Sequence, residues 1–357
     1  MNTIAHRVSH LLLCLFVLSS SFAGLQAQGV PHAIVKGRVV DDSTGAALPL
    51  TNIFVANSTV GAAANAEGRF VLKRVPLGTQ QIVASIVGYG VETWTLHVAD
   101  TVTYEIEFHL RPREVQMPGV LVEARDPVEW KKHLQRFVDS FFGTGPNSTF
   151  CRLLNPQVLD FQIDDPKNQF TATSRDPLQI ENRGLGYRFT YILRRYIESP
   201  QFFQFLGITH FEELHPRDGQ EAAQWKENRR KAYYGSKRHF LTALIRKSWR
   251  EDGFEVNSIH KTPPRMALMW SAGNQVDADT LLRPGRAAYE RRISFEGLLQ
   301  VIYTQGRRQE FSLIQLDQPV VTIYTNGLVE NPLKMVTQGY WSGQRAADLL
   351  PTDYEPE

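Results

Sequence analysis

The chain has 357 residues, 42% of them hydrophobic and 21% charged, with a formal net charge of +2. This is a globular balance, which excludes disordered and fibrous architectures, and a protein that is strongly basic or acidic as a whole. Its length suits about two domains after any targeting peptide.

The N-terminus comes first. His6, Arg7 and His10 give a weakly positive start, Leu11 to Leu18 is apolar, and Leu25-Gln26-Ala27 offers a cleavage site before Gln28. Eight apolar residues are too few to span a bilayer, which needs about 20. The pattern predicts a secretory signal peptide over residues 1–27. Lipidation at Cys14 is disfavoured because Leu13 stands where a small residue is needed. No later stretch is apolar enough to span, so no transmembrane segment is expected in the mature chain. Removal of Cys14 leaves Cys151 as the one thiol, so no intramolecular disulfide can form. Cys151 reads as a small buried apolar residue.

Residues 33–124 read as β-structure. Ala33 to Val40, Ile53 to Ala56, Arg69 to Leu72, Gln81 to Val87, Thr93 to Val98 and Val102 to Phe108 are strand-like. The clusters Asp41 to Gly45, Asn65 to Gly68 and Val75 to Gly78 are turns. Short strands with turns roughly every 10 residues predict a β-sandwich. Asp126-Pro127 then opens a helix, and Trp130, Leu134, Phe137, Val138 and Phe141 form one apolar stripe that Gly143 ends. That stripe is expected to pack on the second domain. Strands are predicted over 158–163, 170–173, 178–181 and 187–193, helices over 220–234 and 236–250, and strands again over 293–303, 311–316 and 320–324. Strands, helices, strands is an α+β pattern with antiparallel strands.

The ordered string Val39-Val40-Asp41, Thr44-Gly45, Leu48-Pro49-Leu50, Asn52 to Val55, Gly61, Asn65 to Phe70, Val75 to Gly78 and Val87-Gly88-Tyr89 resembles the carboxypeptidase-regulatory-like domain. The resemblance implies a transthyretin-like (prealbumin-like) sandwich, an accessory module common in exported cell-envelope proteins of Bacteroidetes type. Further segments (Glu181 to Tyr187, Trp225 to Ser236, His239 to Leu241 and Gln344 to Pro351) resemble the C-terminal part of such proteins, which brings no known activity with it. The expected organisation is a signal peptide at 1–27, the sandwich at 28–115, a linker strand and amphipathic helix at 116–149, and an α+β domain at 150–357.

The name of the family does not import its chemistry. His210-Phe211-Glu212-Glu213 has the His-x-x-Glu spacing of a zinc carboxypeptidase pair, but no His follows His260 to act as the distant ligand. The catalytic module is judged absent, and neither a metal nor a cofactor is expected. The feature with a direction is a basic run: residues 216–250 hold ten Lys or Arg against Asp218, Glu221 and Glu227, a local balance of +7. Trp225, Arg229, Arg230, Lys231, Tyr234, Lys237, Arg238 and His239 are its candidate binding residues. Clustered Arg suits phosphate or carboxylate partners, and aromatics can stack on sugars. The expected role is non-catalytic binding or structural work at the periplasmic face of the outer membrane. Its partner would be an anionic glycan, lipid A phosphates or an envelope protein, not nucleic acid. The alternative is an envelope glycan or peptide hydrolase, with Glu212 and Glu213 as an acid pair.

Overall fold

The computed structural model describes residues 31–113, 126–200, 202–259 and 274–356. The expected signal peptide, Cys14 and the expected strand at 120–123 lie outside the described residues.

Alternating apolar residues build the first seven strands: β1 (His32–Asp41), β2 (Asn52–Val55), β3 (Gly61–Ala63), β4 (Arg69–Pro76), β5 (Gly78–Ser85), β6 (Glu92–Val98) and β7 (Thr103–Leu110). They form two sheets, β4-β1-β7 and β3-β2-β5-β6. All pairings are antiparallel except β1 with β7. Val35, Val39, Ile53, Leu72, Ile82 and Phe108 close the sandwich core between the sheets.

Helix α1 (Pro127–Phe142) starts as its sequence dictates, with the Asp126 carboxylate accepting from the Val128 N–H at 2.8 Å and Pro127 in the first turn. Its apolar stripe buries Phe137, Phe141 and Phe142. These pack on a six-stranded antiparallel sheet of β8 (Cys151–Leu153), β9 (Leu159–Asp164), β10 (Gln169–Ser174), β11 (Leu178–Asn182), β12 (Tyr187–Glu198) and β13 (Phe203–Glu213). The contacts are aromatic: Phe137 lies 5.0 Å from Phe141 and 4.8 Å from Tyr196, and Phe141 meets Tyr191 edge-on at 5.2 Å. The hairpin β12–β13 is the long element of this sheet, with one register shift between Leu193 and Arg195.

Two helices come next, α2 (Gly219–Tyr233) and α3 (Lys237–Arg246), separated by Gly235. The expected helix over 236–250 ends early, because Lys247 takes the left-handed conformation (φ 62°) and its N–H turns back to the Ala243 and Leu244 carbonyls. Beyond it, Trp249 drops into a third core. That core lies among α3 and two antiparallel sheets. The first is β15-β14-β18-β19-β21: β14 (Phe254–Ile259), β15 (Asn274–Gln275), β18 (Leu298–Gln305), β19 (Arg308–Leu316) and β21 (Met335–Gly339). The second is β16-β17-β20: β16 (Leu282–Pro284), β17 (Glu290–Ile293) and β20 (Val321–Tyr324). The single strand expected over 293–303 is thus two strands in different sheets, divided where Gly297 takes φ 74°.

The sandwich is stitched to the hairpin through the turn between β2 and β3. The Asn57 N–H donates to the Thr209 carbonyl at 2.6 Å, and the Thr209 N–H donates back to Asn57 Oδ1 at 3.1 Å. The Phe211 N–H donates to the Ser58 carbonyl at 3.0 Å, and the Thr352 N–H to the Asn57 carbonyl at 2.7 Å. Phe54, Ala56 and Val83 bury against Ile192 beside these bonds. Residues 32–357 accordingly form one compact unit.

Candidate functional site

The basic run folds onto α2, α3 and the turns after them, and four of its ten cations, Arg229, Arg238, Arg246 and Arg250, find partners remote in sequence. Arg229 is the clearest case. Its Nε donates to the Leu185 carbonyl at 2.7 Å, Nη2 to the Gly186 carbonyl at 3.3 Å and Nη1 to Glu213 at 3.1 Å. Its guanidinium also lies 4.0 Å from the Tyr187 ring centroid. Arg238 is turned inward too, donating to the carbonyls of Asn326, Pro351, Thr352 and Tyr354 at 2.6–3.2 Å, which ties the C-terminal tail to α3. Burial lowers its proton affinity below the ordinary guanidinium range, although it stays bonded to those carbonyls.

His239 is buried in the corner between the helices. Its Nδ1 accepts the Gly235 N–H at 3.1 Å, and Asp252 lies 3.8 Å from Nε2. Desolvation holds the imidazole down to about 4, so it is neutral at pH 7. Lys237 is half-buried at the start of α3, and burial pulls its ammonium below the usual lysine range. Arg230 and Lys231 remain at the surface, both against Glu227 at 2.9 and 3.5 Å. Hydrogen bonding from Arg230 in turn lowers Glu227 below the usual carboxylate range. Tyr234 packs edge-on to His239 at 5.0 Å. Arg246 and Arg250 reach Glu355 and Asp277. The structure therefore brings Tyr234 and His239 together, sets Arg229 and Arg238 on separate internal tasks, and leaves Arg230 and Lys231 outward. Charge counting along the sequence cannot see Glu213, Asp277 or Glu355.

Trp225 behaves differently. Its side chain is buried (5% exposed), and its indole Nε1–H has no hydrogen-bond partner among the described residues. It lines a cleft of about 340 Å³ at the N-terminal end of α2, with Phe150, Arg183, Gly184, Arg217, Gln220 and Asn228 among its neighbours. Gly186 makes room for the ring: it takes φ 71°, and a Cβ there would come within 2.2 Å of Trp225 Cε3. Sequence reasoning placed Trp225 among the charges. It missed Phe150 and Arg183, which come to the cleft from the turns on either side of β8 and β11.

The other cleft, about 680 Å³, lies where the sandwich meets the hairpin and the tail, lined by Asn52, Thr59, Arg74, His210, Glu212 and Asp353 among others. His210 sits on strand β13, not a helix, and its ring stacks on Phe54 at 4.8 Å. Desolvation lowers its pKa. Asp353 accepts from the Thr59 N–H at 3.0 Å and from the Thr59 hydroxyl. Glu213 of the expected acid pair is already held by Arg229. Among the described residues no group of three or more His, Cys, Asp or Glu is placed to hold a metal ion. Burial pushes the Cys151 thiol up to about 12, so it is protonated at neutral pH. No described helix is long and apolar enough to cross a membrane.

Residues 35–122 match the model of the CarboxypepD_reg-like domain. No curated protein matches the chain. Solved structures with some likeness include a type II cohesin–X-dockerin complex from Acetivibrio cellulolyticus, at 20% identity over 22% of this chain and 56% of that one (TM-score 0.20). The group B streptococcus pilus 2b backbone protein is 15% identical over 23% of this chain and 41% of its own (TM-score 0.19). A DUF3823 family protein from Bacteroides uniformis is 8% identical over 82% and 99% of the two chains (TM-score 0.18). The likeness to the first two thus spans about half of each of those chains.

Proposed function

Building on the CarboxypepD_reg-like domain at residues 35–122, we propose that this is a non-catalytic, exported cell-envelope protein of Bacteroidetes type. In it the sandwich and the sheets after it serve as one rigid body for binding or structural work. The supporting observation is the junction. Backbone hydrogen bonds from the turn at Asn57 and Ser58 to Thr209, Phe211 and Thr352 fix the sandwich on the hairpin edge. An accessory module held this way does not swing on a linker. It forms preformed walls for a partner, and a preformed site loses less ordering entropy on binding. The outward cations Arg230 and Lys231 and the two clefts are the surfaces offered. The partners proposed are an envelope glycan, lipid A phosphates or an envelope protein.

The test incubates the purified protein with lipopolysaccharide, soluble peptidoglycan fragments, and neutral and anionic polysaccharides. Melting temperature and the fragment pattern of each polymer are followed together. A saturable rise in melting temperature with every polymer left intact is expected, since a ligand that prefers the folded state stabilises it. Shortened polymer fragments would overturn the non-catalytic reading in favour of a glycan or peptide hydrolase. Recovery of the protein from the cytosolic fraction of its native cells would overturn export.

A further inference from the structure

β3 ends its sheet: it pairs with β2 on one side and, among the described residues, with no strand on the other. The Val55 N–H donates to the Val60 carbonyl and the Ala64 N–H to the Thr51 carbonyl, each at 2.9 Å. Main-chain groups alternate between the two sides of a strand. Val60, Ala62 and Ala64 therefore turn theirs to β2, and Gly61 and Ala63 turn theirs to the open edge. Both residues are exposed, and none of the described residues bonds their N–H or C=O groups. Two donors and two acceptors thus stand in a row at strand spacing without a strand to meet them.

The chain after β3 does not cover this edge. The turn that follows is closed by the Asn65 N–H on the Arg69 carbonyl at 2.9 Å, and β4 then joins the other sheet of the sandwich. The open edge borders the cleft of about 680 Å³. Gly61, Ala62 and Ala63 line it, with Arg74 of β4 on the sandwich side and His210 and Glu212 of β13 on the hairpin side. A cleft of that size buries a drug-sized ligand, which a few residues of extended chain match.

Exposed edges are usually blunted by charged side chains, proline or bulges. β4 shows this: its pairing with β1 slips between Leu72 and Val75, and the bulge carries Lys73 and Arg74, the latter at φ 60°. β3 is short, but it has none of these devices. Its residues are Gly61, Ala62 and Ala63, whose small size leaves the way to the main chain clear. Gly61 has no room for more, since a Cβ there would come within 2.3 Å of His210 Nε2. Of the carboxylates in the cleft, Asp353 is engaged by Thr59 and Glu213 by Arg229. Arg74 and Glu212 have no ion pair among the described residues. A glycan or a phosphate matches neither the strand spacing nor both of these charges. An extended peptide with one acidic and one basic side chain matches all of them.

We propose that β3 takes up an extended, proline-free peptide segment of a partner protein as an added strand in this cleft, bonded to the outward N–H and C=O groups of Gly61 and Ala63, with side chains of opposite charge meeting Arg74 and Glu212. This rests on the reading of the protein as a non-catalytic binder, and it makes the partner a protein and assigns it a site.

Random dodecapeptides displayed on phage are the probe. They are selected on the whole purified protein, and each enriched peptide is synthesised and measured against the unaltered protein and Ala63→Pro. Proline removes the outward N–H of residue 63 and leaves the bonds to β2 untouched, so the fold should hold. At least one peptide is expected to bind the unaltered protein and to lose about tenfold or more in affinity on Ala63→Pro. It should also slow hydrogen exchange of the Gly61 and Ala63 amides, read in fragments spanning residues 60–64. A second signature needs no variant of the protein and serves should Ala63→Pro not fold. Methylating alternate amide nitrogens of the peptide in one register should abolish binding, and in the other register should leave it. The proposal is overturned if no peptide is enriched, if both methylated registers bind alike, or if folded Ala63→Pro binds as tightly as the unaltered protein. Peptides that bind without slowing those two amides overturn this site and leave the reading of the protein as a binder standing.

Discussion

Neighbouring residues of one type can do opposite jobs, and Arg229 and Arg230 show it. Arg229 lies with only 16% of its side chain exposed, against two carbonyls, a carboxylate and an aromatic face. Removing it orphans the Leu185 carbonyl and leaves the Tyr187 ring uncovered. Arg229→Ala should therefore cost about 2–4 kcal/mol of unfolding free energy. Arg230 pairs with Glu227 within one turn of the same helix at the surface, and Arg230→Ala should leave stability nearly unchanged. Urea denaturation of the two variants checks this. Equal losses would mean that the inward wiring of Arg229 does not stabilise the fold. The consequence for function is direct: only the second variant can report on a surface ligand, because the first perturbs the protein that would bind it.

At the scale of elements, the sandwich strands and α1 are legible because their signals are local: alternation, turn residues, an Asp-Pro start and an apolar stripe. The expectation of α+β structure after them holds for the same reason. What escapes is set by distant residues. β13 carries apolar residues on both faces, since Phe203 and Phe205 join the core under α1 while Ile208 meets the sandwich, so no clean alternation marks it. The Trp225 cleft is equally invisible, because Phe150 and Arg183 lie 75 and 42 residues before Trp225 in the sequence. The corner between α2 and α3 adds a pH dependence that no sequence count shows. There His239 must stay neutral to accept the Gly235 N–H, and it is enclosed by Tyr233, Tyr234, Phe254 and Tyr303. The Asp252 carboxylate favours its protonation, and burial and the Arg246 charge oppose it. An unfolded histidine titrates near 6.5 and this one at about 4, so between these values the unfolded chain binds the extra proton. Stability from this residue is complete above about pH 6.5 and is lost as pH falls toward about 4, by on the order of 3 kcal/mol. Urea midpoints at several pH values should show that decline, and His239→Gln should flatten it. An undiminished slope in the variant would assign the effect elsewhere, His210 first, since its pKa is lowered in the same direction.

For the whole molecule, the question is whether the sandwich unfolds by itself or with the rest. The junction argues for one transition. It is made of main-chain hydrogen bonds to a strand, backed by Phe54 and Val83 against Ile192, and its geometry depends on Asn57. Asn57 has φ 61°, a left-handed conformation that asparagine tolerates better than other residues with a Cβ, and its side-chain oxygen takes the Thr209 N–H. Asn57→Ala removes that acceptor and places alanine in the left-handed region, together about 2 kcal/mol concentrated at the seam. Asn57→Gly keeps the backbone freedom and loses only the side-chain bond, so it should cost about half as much. In calorimetry the unaltered protein should melt in a single transition whose calorimetric and van't Hoff enthalpies agree. Asn57→Ala should separate the sandwich from the remainder into two overlapping transitions, with Asn57→Gly between the two behaviours. Two resolved transitions in the unaltered protein would mean the sandwich is a tethered module. The clefts would then have to be understood as sites on separate bodies, and the rigid platform proposed for binding would fall with the seam.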